Sequence, residues 1–229
     1  PPLTYKDNET LDEVTIKEIE PHKWNLNWWR VYGLGLLGEL EGKIYKDWQL
    51  IDEIPHEARL ERYGLDFGYS QDPATLIAIY YYNGGYILDE KFYSTGMNNK
   101  MIADNIKNLP QALVMADSAE PKSIDEIKEY GINILPCVKK AGSVNHGIQY
   151  VQEQRISMTK RSLNLIREYR NYMWKTDKDG NVMTIPDVGF DHTMDAVRYG
   201  MESLKGTSDP VYIPEMEGLG GVKIGGYQL

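Results

Sequence analysis

The 229-residue sequence contains one cysteine, and none of its apolar runs approaches the roughly 20 residues needed to span a bilayer. A single cysteine, Cys137, excludes an internal disulfide and a zinc site built from several cysteines. It follows the apolar run INILP, which favours an inert buried thiol. No signal peptide precedes the first acidic cluster, so the sequence predicts a soluble protein that is not secreted. The start, PPLT without an initiator Met, is typical of a piece of a longer polypeptide.

Positive charge is also scarce. Lys and Arg number 25 against 34 Asp and Glu, a net charge of −9 that argues against a nucleic-acid partner over most of the chain. Only residues 139–198 reverse the sign, with 10 basic and 7 acidic side chains. The candidate phosphate-facing side chains in this segment are Lys139, Lys140, Arg155, Lys160, Arg161, Arg167, Arg170 and Lys175. Ordinary solvated helix faces account for these residues individually as well.

The pattern of apolar residues predicts alternating strands and helices. A hydrophobic fraction of 41% supports one domain with a real core. Three β-rich runs come first, YGLDFGYS, ATLIAIYYY and GYILDEKFYS, and the last two are joined by Asn83-Gly84-Gly85, a hairpin signal. Further predicted elements are a helix in NNKMIADNIKNL, a strand in ALVMAD, a helix from Ser123 to Gly131, a strand in INILPCV, helices near 143–155 and 160–175, a hairpin in KTDKDGNVMTI and a helix near 191–204. This order predicts an α/β domain with a mixed sheet, the element order of the ribonuclease H fold.

Three acidic residues stand out by their placement. Asp66 lies inside an apolar strand, Asp117 comes where the apolar run ALVMA ends, and Asp195 lies in the first turns of the last helix. Buried carboxylates are costly unless their charge is compensated, and Mg²⁺ or Mn²⁺ supplies that compensation through oxygen ligands. Two such ions, about 3.5–4 Å apart, can activate a water and stabilise the leaving oxygen of a phosphodiester. Capping of the adjacent turns is the structural alternative for Asp66 and Asp117.

Other polar residues near the last helix have less certain roles. His192 is three residues before Asp195, so both project from one helical face, where the imidazole could bind a metal or move a proton. A surface histidine is the simpler alternative. Asp191 is predicted to be the N-cap of that helix. The motif around Gly33 resembles G-x-G-x-x-G, and Gly42-Lys43 resembles part of a P-loop, but both lack the neighbouring elements and residues that nucleotide binding needs.

Four blocks in the chain resemble the nuclease domain of phage terminase large subunits. They are LDFGYSQDPAT, ADSAEPKSIDEIKEYG, VKKAGSVNHGIQYVQ and DHTMDAVRYG, and the resemblance covers about residues 50–205. It implies a ribonuclease-H-like nuclease domain over 51–208, preceded over 1–50 by the end of an ATPase region and a linker and followed over 209–229 by a flexible Gly-rich tail. It also implies that Asp66, Asp117 and Asp195 hold the metal, with His192 beside them.

The resemblance further implies an endonuclease that cuts concatemeric double-stranded viral DNA in the host cytoplasm, using two Mg²⁺ or Mn²⁺ ions when DNA is bound. Lys139 and Lys140 would approach the DNA. Partners of the whole motor would be its ATPase domain, the small terminase subunit and the portal protein, with no membrane. The packaging ATPase motifs are absent from this chain. The sequence is also compatible with three alternative functions: a branched-DNA resolvase, an RNA–DNA hybrid nuclease, and a non-catalytic module that docks on the portal.

Overall fold

The structure is a computed structural model that describes residues 42–68, 71–138, 142–178, 180–202 and 204. Lys139 and Lys140, the candidate DNA contacts, lie outside the described residues, as do positions 1–41 and the Gly-rich tail over 209–229. Among the described helices, none combines the length and the apolar character that crossing a bilayer requires.

A mixed seven-stranded sheet forms the centre of the described part of the chain, and its strand order is β1-β7-β4-β3-β2-β5-β6. The elements are β1 (Gln49–Ile51), β2 (Arg59–Asp66), β3 (Ala74–Tyr82), β4 (Gly85–Ser94), α1 (Asn99–Lys107), β5 (Leu113–Ala116), α2 (Pro121–Glu129), β6 (Ile134–Pro136), α3 (Ser143–Gln152), β7 (Ile156–Thr159), α4 (Leu163–Asn171), β8 (Trp174–Thr176), β9 (Val182–Pro186) and α5 (His192–Met201). Strands β2, β3 and β4 pair antiparallel, whereas β5, β6, β7 and β1 join in parallel. The predicted α/β fold with a mixed sheet is therefore confirmed.

The turn between β3 and β4 is the hairpin that the sequence predicts. Asn83 and Gly84 have φ values of 46° and 72°. Two consecutive positive φ values characterise the turn whose twist matches that of the flanking strands, and Asn and Gly adopt them at little cost. The second predicted hairpin is also present, as β8 paired antiparallel with β9.

Two helical predictions need correction. The pattern predicts helices over 143–155 and 160–175 with no strand between them, but residues 156–159 form β7, which pairs in parallel with both β1 and β4. Four residues are too few for periodicity to distinguish a strand, and β7 is stabilised by hydrogen bonds to strands about 70 and 108 residues earlier in the chain. Helix α2 begins at Pro121 rather than Ser123, because proline is well suited to the first helical turn.

The core lies on both faces of the sheet, because alternate residues of β3 point to opposite sides. Ile77 and Ile79 join a cluster with side chains of α3, α4 and α5. Leu76 and Ala78 join a second cluster with side chains of α1 and α2. The described fold is thus a three-layer arrangement with the sheet in the middle.

Residues just before β1 belong to this core. Ile44 and Tyr45 are each 1% exposed, and Trp48 stacks on Tyr169 of α4 with ring centroids 4.8 Å apart. The resemblance assigns positions 1–50 to the end of an ATPase region and a linker, and three residues of that range, Ile44, Tyr45 and Trp48, pack against the sheet and its helices. Ile44, Tyr45 and Trp48 are therefore part of the core of the described residues.

Helix α5 approaches the sheet unusually closely, and glycine permits it. A Cβ built on Gly64 of β2 would lie 1.8 Å from the carbonyl oxygen of Ala196, and one built on Gly200 would lie 3.1 Å from the Gly64 backbone. Since any larger residue at these positions would push α5 away, the two glycines set the distance between α5 and β2. That distance matters because α5 carries Asp195 and His192.

Candidate active site

The ends of two neighbouring strands bring the first two candidate carboxylates to one edge of the sheet. Asp66 is the last residue of β2, and Asp117 directly follows β5. The strands are parallel, Leu65 is paired with Ala116, and the Asp117 amide donates to the Leu65 carbonyl at 3.3 Å. Parallel neighbours place their carboxyl ends at the same edge, so the fold juxtaposes these two residues as the sequence predicts.

Tyr199 links the third carboxylate to the second. Its hydroxyl lies 3.2 Å from Oδ2 of Asp117 and 3.4 Å from Oδ2 of Asp195. Tyr199 is one helical turn after Asp195, so the two side chains share a face of α5. The structure thus gathers Asp66, Asp117 and Asp195, although they are separated by about 130 residues along the chain.

His192 lies against Asp66 at this site. Its Nδ1 is 3.3 Å from Oδ2 of Asp66, and its Nε2 is 3.8 Å from Oδ1 of Asp72, whose side chain is 73% exposed. The hydrogen bond to Asp66 raises the pKa of His192 to about 8. The placement of His192 beside the carboxylates agrees with the sequence-based expectation and disfavours the alternative of an unrelated surface histidine.

Burial shifts the pKa of two of the carboxyl groups. It raises the pKa of Asp66 to about 7, with further increases from the charges of Asp195 and Asp117 and a partial decrease from His192. Burial also raises the pKa of Asp195, although Arg198 acts in the opposite direction. Buried carboxylates that repel one another favour the binding of a cation, because the cation would offset both the desolvation of the charges and their mutual repulsion.

Arg198 balances the charge of Asp195 within the protein itself. Arg198 is 5% exposed, and one terminal nitrogen of its guanidinium is 3.0 Å from Oδ1 of Asp195. Gly147 of α3 leaves room for the arginine stem, since a Cβ there would lie 2.6 Å from Cγ of Arg198. Arg198 and Tyr199 are not among the residues predicted from the sequence, although their spacing of three and four residues from Asp195 is the signal that could have revealed both.

Glu168 of α4 anchors the start of α5. It is fully buried, and its Oε2 accepts hydrogen bonds from the amide and hydroxyl of Thr193, both at 2.6 Å. Asp191 does occupy the N-cap position, as predicted, but its carboxylate accepts from the Gly189 amide and makes no capping bond to the helix. The acceptor for the Thr193 amide at the start of α5 is therefore a side chain of α4. No local sequence pattern could have identified Glu168.

The donor chemistry of the site fits a hard divalent cation, since all three candidate ligands are carboxylates with buried or repelling charges. In the part of the chain that the structure describes, however, no three His, Cys, Asp or Glu side chains are arranged closely enough to hold an ion together. Each carboxylate instead contacts protein groups: Asp66 contacts His192, Asp195 contacts Arg198, and Asp117 accepts from the Ala119 amide at 2.8 Å. The ligand assignment stays a prediction, and metal binding requires these contacts to rearrange.

Several described residues of the basic segment are engaged by other protein groups. Arg155 donates to the Asn83 carbonyl at the β3–β4 turn, Lys160 pairs with Asp52, and Arg161 pairs with Asp89. Arg155 thus lies at the β3–β4 turn, opposite the edge that holds Asp66, and the charges of Lys160 and Arg161 are paired with carboxylates. Cys137 is buried, and burial raises the pKa of its thiol, which agrees with the expectation of an inert side chain.

Comparison with known proteins supports the resemblance to terminase nuclease domains that the four sequence blocks indicate. The model of the family described as "Terminase RNAseH like domain" matches residues 66–203, which include all four candidate site residues. The chain belongs to this terminase family. The predicted similarity to the nuclease domain of phage terminase large subunits is thereby confirmed.

Relatives of this terminase domain include two curated large subunits. The chain is 33% identical over 216 residues to the terminase large subunit of Bacillus phage SPP1, covering 87% of this chain and 50% of that protein. It is 23% identical to the PBSX phage terminase large subunit of Bacillus subtilis strain 168, covering 87% of this chain and 49% of that protein. The chain therefore spans about half the length of the curated relatives it matches.

The solved nuclease domain of the bacteriophage SPP1 large terminase, determined with bound Mn, shares the fold. The TM-score is 0.60 at 29% identity, and the match covers 69% of this chain and 97% of that one. The ribonuclease-H-like architecture expected from the element order is thus the architecture of a terminase nuclease domain.

Proposed function

We propose that this terminase domain is a metal-dependent endonuclease that cuts concatemeric double-stranded viral DNA during genome packaging. The observation that carries the proposal is the convergence of Asp66, Asp117 and Asp195 at one edge of the sheet, from β2, the end of β5 and α5. The related SPP1 nuclease domain was solved with Mn, which supports a divalent cation as the cofactor.

In this proposal the three aspartates hold Mg²⁺ or Mn²⁺, with two ions present when DNA is bound. Such ions, when bound, lower the pKa of an attacking water and stabilise the charge on the leaving oxygen. Asp66 supplies a carboxylate at the end of a rigid strand, and Asp195 supplies one from a helix held against that strand by glycine. Rigid supports of this kind keep ligands in position.

His192 is placed to hold or move a proton. With a pKa of about 8, its imidazole is largely protonated at neutral pH and its Nδ1 donates to Asp66. Hydrolysis adds a water oxygen to phosphorus and breaks the bond to the 3′ oxygen, which takes up a proton. The products are a 3′-hydroxyl and a 5′-phosphate.

The part of the proposal that concerns the whole packaging motor rests on the similarity of this chain to terminase large subunits. Because the chain spans about half of its curated relatives, the ATPase region, the small terminase subunit and the portal protein are proposed partners of the complete large subunit. Action in the host cytoplasm, where packaging takes place, belongs to the same proposal. Little sequence specificity is expected of the cutting reaction.

Plasmid digestion with the 229-residue chain tests the proposal directly. Supercoiled plasmid is incubated with Mg²⁺, Mn²⁺, Ca²⁺ or EDTA, and nicked and linear products are measured. Asp66→Asn and Asp117→Asn should each abolish cleavage and keep the melting temperature of a folded domain. Asp125→Asn, which removes a 76% exposed carboxylate on α2, serves as the matched control and should cleave normally.

Cleavage by either site variant at the wild-type rate would refute the assignment of the active site. Cleavage that persists in EDTA would refute the dependence on metal. Competition among linear duplex, a four-way junction and an RNA–DNA hybrid then measures the substrate preference, and preferential cutting of the junction or the hybrid would overturn duplex DNA as the substrate.

A further inference from the structure

Arg167 on α4 presents a cation beside the candidate active site. Its side chain is exposed, a terminal nitrogen donates to the Tyr93 hydroxyl at 3.1 Å, and the guanidinium carbon lies 5.5 Å from the Tyr93 ring centroid. Tyr93 is near the end of β4, and its ring lies edge-on to His192 with centroids 6.5 Å apart. Within the described ranges, Arg167 has no carboxylate partner, so its charge is available to a ligand.

A chain of hydrogen bonds fixes Arg167 relative to the catalytic edge. The Tyr93 hydroxyl accepts from Arg167 and donates to Oε1 of Glu168 at 2.9 Å. The other Glu168 oxygen accepts from Thr193, which adjoins His192 in α5. Glu168 at the inner end of this chain is fully buried, and the Tyr93 ring limits the positions that the exposed guanidinium can take.

Three other arginines that the structure describes are engaged elsewhere. Arg198, which contacts Asp195, is buried in that ion pair. Arg161 of the basic segment is paired with Asp89, and Arg155 lies at the opposite end of the sheet, beside the β3–β4 turn. Arg167, by contrast, is exposed and contacts Tyr93, the ring that lies against His192.

We propose that Arg167 binds a backbone phosphate of the DNA strand that enters the active site, and this rests on the proposed nuclease function. A guanidinium offers two parallel donors that match the oxygens of a phosphate, and Tyr93 holds it in place. Its positive charge also offsets the repulsion between DNA and an edge that carries Asp66, Asp72 and Asp195. Arg167 thus orients the substrate and takes no part in bond cleavage.

Binding in the absence of cleavage tests this role. Fluorescence anisotropy of a labelled duplex is measured with the 229-residue chain in EDTA and again in Ca²⁺, over a range of salt concentrations. For Arg167→Gln we expect a dissociation constant about tenfold higher and a slope of log affinity against log salt reduced by about 1, since one phosphate contact is lost. Arg155→Gln, which removes another exposed arginine beside the β3–β4 turn, should leave both quantities unchanged.

Two further measurements separate a DNA contact from a structural role. Arg167→Lys keeps the charge, so it should restore most of the salt slope and only part of the affinity. In Mn²⁺, Arg167→Gln should raise KM several-fold more than it lowers kcat, because uniform binding energy is lost. A melting temperature within about 1 °C of wild type is expected, since surface substitutions change stability little.

The outcomes distinguish the two proposals. If the wild-type chain neither binds nor cleaves duplex DNA, the nuclease proposal fails. If the wild-type chain binds and cleaves but Arg167→Gln matches it, or weakens binding no more than Arg155→Gln, the role of Arg167 alone is refuted. If Arg167→Gln and Arg167→Lys both unfold the domain, Arg167 is structural and the role in DNA binding is likewise refuted.

Discussion

The guanidinium of Arg198 lies 3.0 Å from Oδ1 of Asp195, across a single turn of α5. The candidate metal ligand on α5 is therefore paired with a cation from its own helix. Together with the contacts of Asp66 to His192 and of Asp117 to Tyr199, this explains how the fold accommodates three clustered carboxylates without a preformed ion cage.

Replacing Arg198 should show how far the stability of the domain depends on the ion pair between Arg198 and Asp195. Arg198→Met removes the cation and leaves the Asp195 charge buried, so the free energy of unfolding should fall by about 3 kcal/mol. Urea unfolding with and without Mn²⁺ measures this free energy. Mn²⁺ should stabilise Arg198→Met more than the wild type, because the Asp195 carboxylate without its arginine partner becomes a better ligand. The double variant with Asp195→Asn is the control. Equal stabilisation of both variants by Mn²⁺ would show that Asp195 does not bind the ion.

Metal affinity should depend on pH through Asp66. Burial raises the pKa of Asp66 to about 7, and Mn²⁺ competes with the proton at lower pH. The apparent Mn²⁺ affinity should rise about tenfold per pH unit between pH 5.5 and 6.5, as expected for the release of one proton, and level off above pH 7. Isothermal titration calorimetry measures the affinity. Asp66→Asn should remove the dependence, and the same slope in that variant would assign the proton to another group.

In the metal-free domain the pH effect has the opposite sign. The pKa of Asp66 in the folded domain, about 7, lies above its ordinary value of 3.8, and the pKa of His192, about 8, lies above its ordinary value of 6.5. Both groups favour the protonated form in the fold, so their stabilising contributions are complete at low pH and are lost as pH rises through about 7 and about 8. Melting temperatures in EDTA should therefore fall between pH 6 and 9. A rise over that interval would contradict the assigned shifts.

The close contact between α5 and β2 predicts an effect of Gly64→Ala. Its Cβ would meet the Ala196 carbonyl oxygen at 1.8 Å, so α5 must move and stability should fall by about 3 kcal/mol. Cleavage should fall at least tenfold even where the domain stays folded, because Asp195 moves with the helix. Gly96→Ala is the comparison, since its Cβ enters open space and only the positive φ is strained. Full activity in folded Gly64→Ala would show that this contact does not position the site.

Loss of Glu168 should loosen the start of α5. Glu168→Ala leaves the Thr193 amide and hydroxyl and the Tyr93 hydroxyl without their acceptor, which costs about 1–3 kcal/mol for each buried group left unpaired. We expect a lower melting temperature and at least tenfold slower cleavage. Glu153→Gln, an exposed change at the end of α3, should alter neither. Unchanged activity in a folded Glu168→Ala protein would mean that His192 and Asp195 do not depend on this anchor.

The strands and the turn that position the site can be predicted from the sequence because each depends on a few consecutive residues. Apolar runs ending in Asp66 and Asp117 predict strand ends, and Asn83-Gly84 predicts the turn between β3 and β4 through its tolerance of positive φ. Such features depend on a few consecutive residues, so composition and spacing reveal them without knowledge of the fold.

Only the tertiary structure decides how those elements meet. Strand β7 owes its existence to β1 and β4, and the start of α5 is held by Glu168 from another helix. By itself, the sequence determined which residues end strands and which face of the last helix carries Asp195. The three-dimensional packing decided the distance from α5 to β2 and the partners of each buried charge, because those depend on atoms brought together from distant parts of the chain.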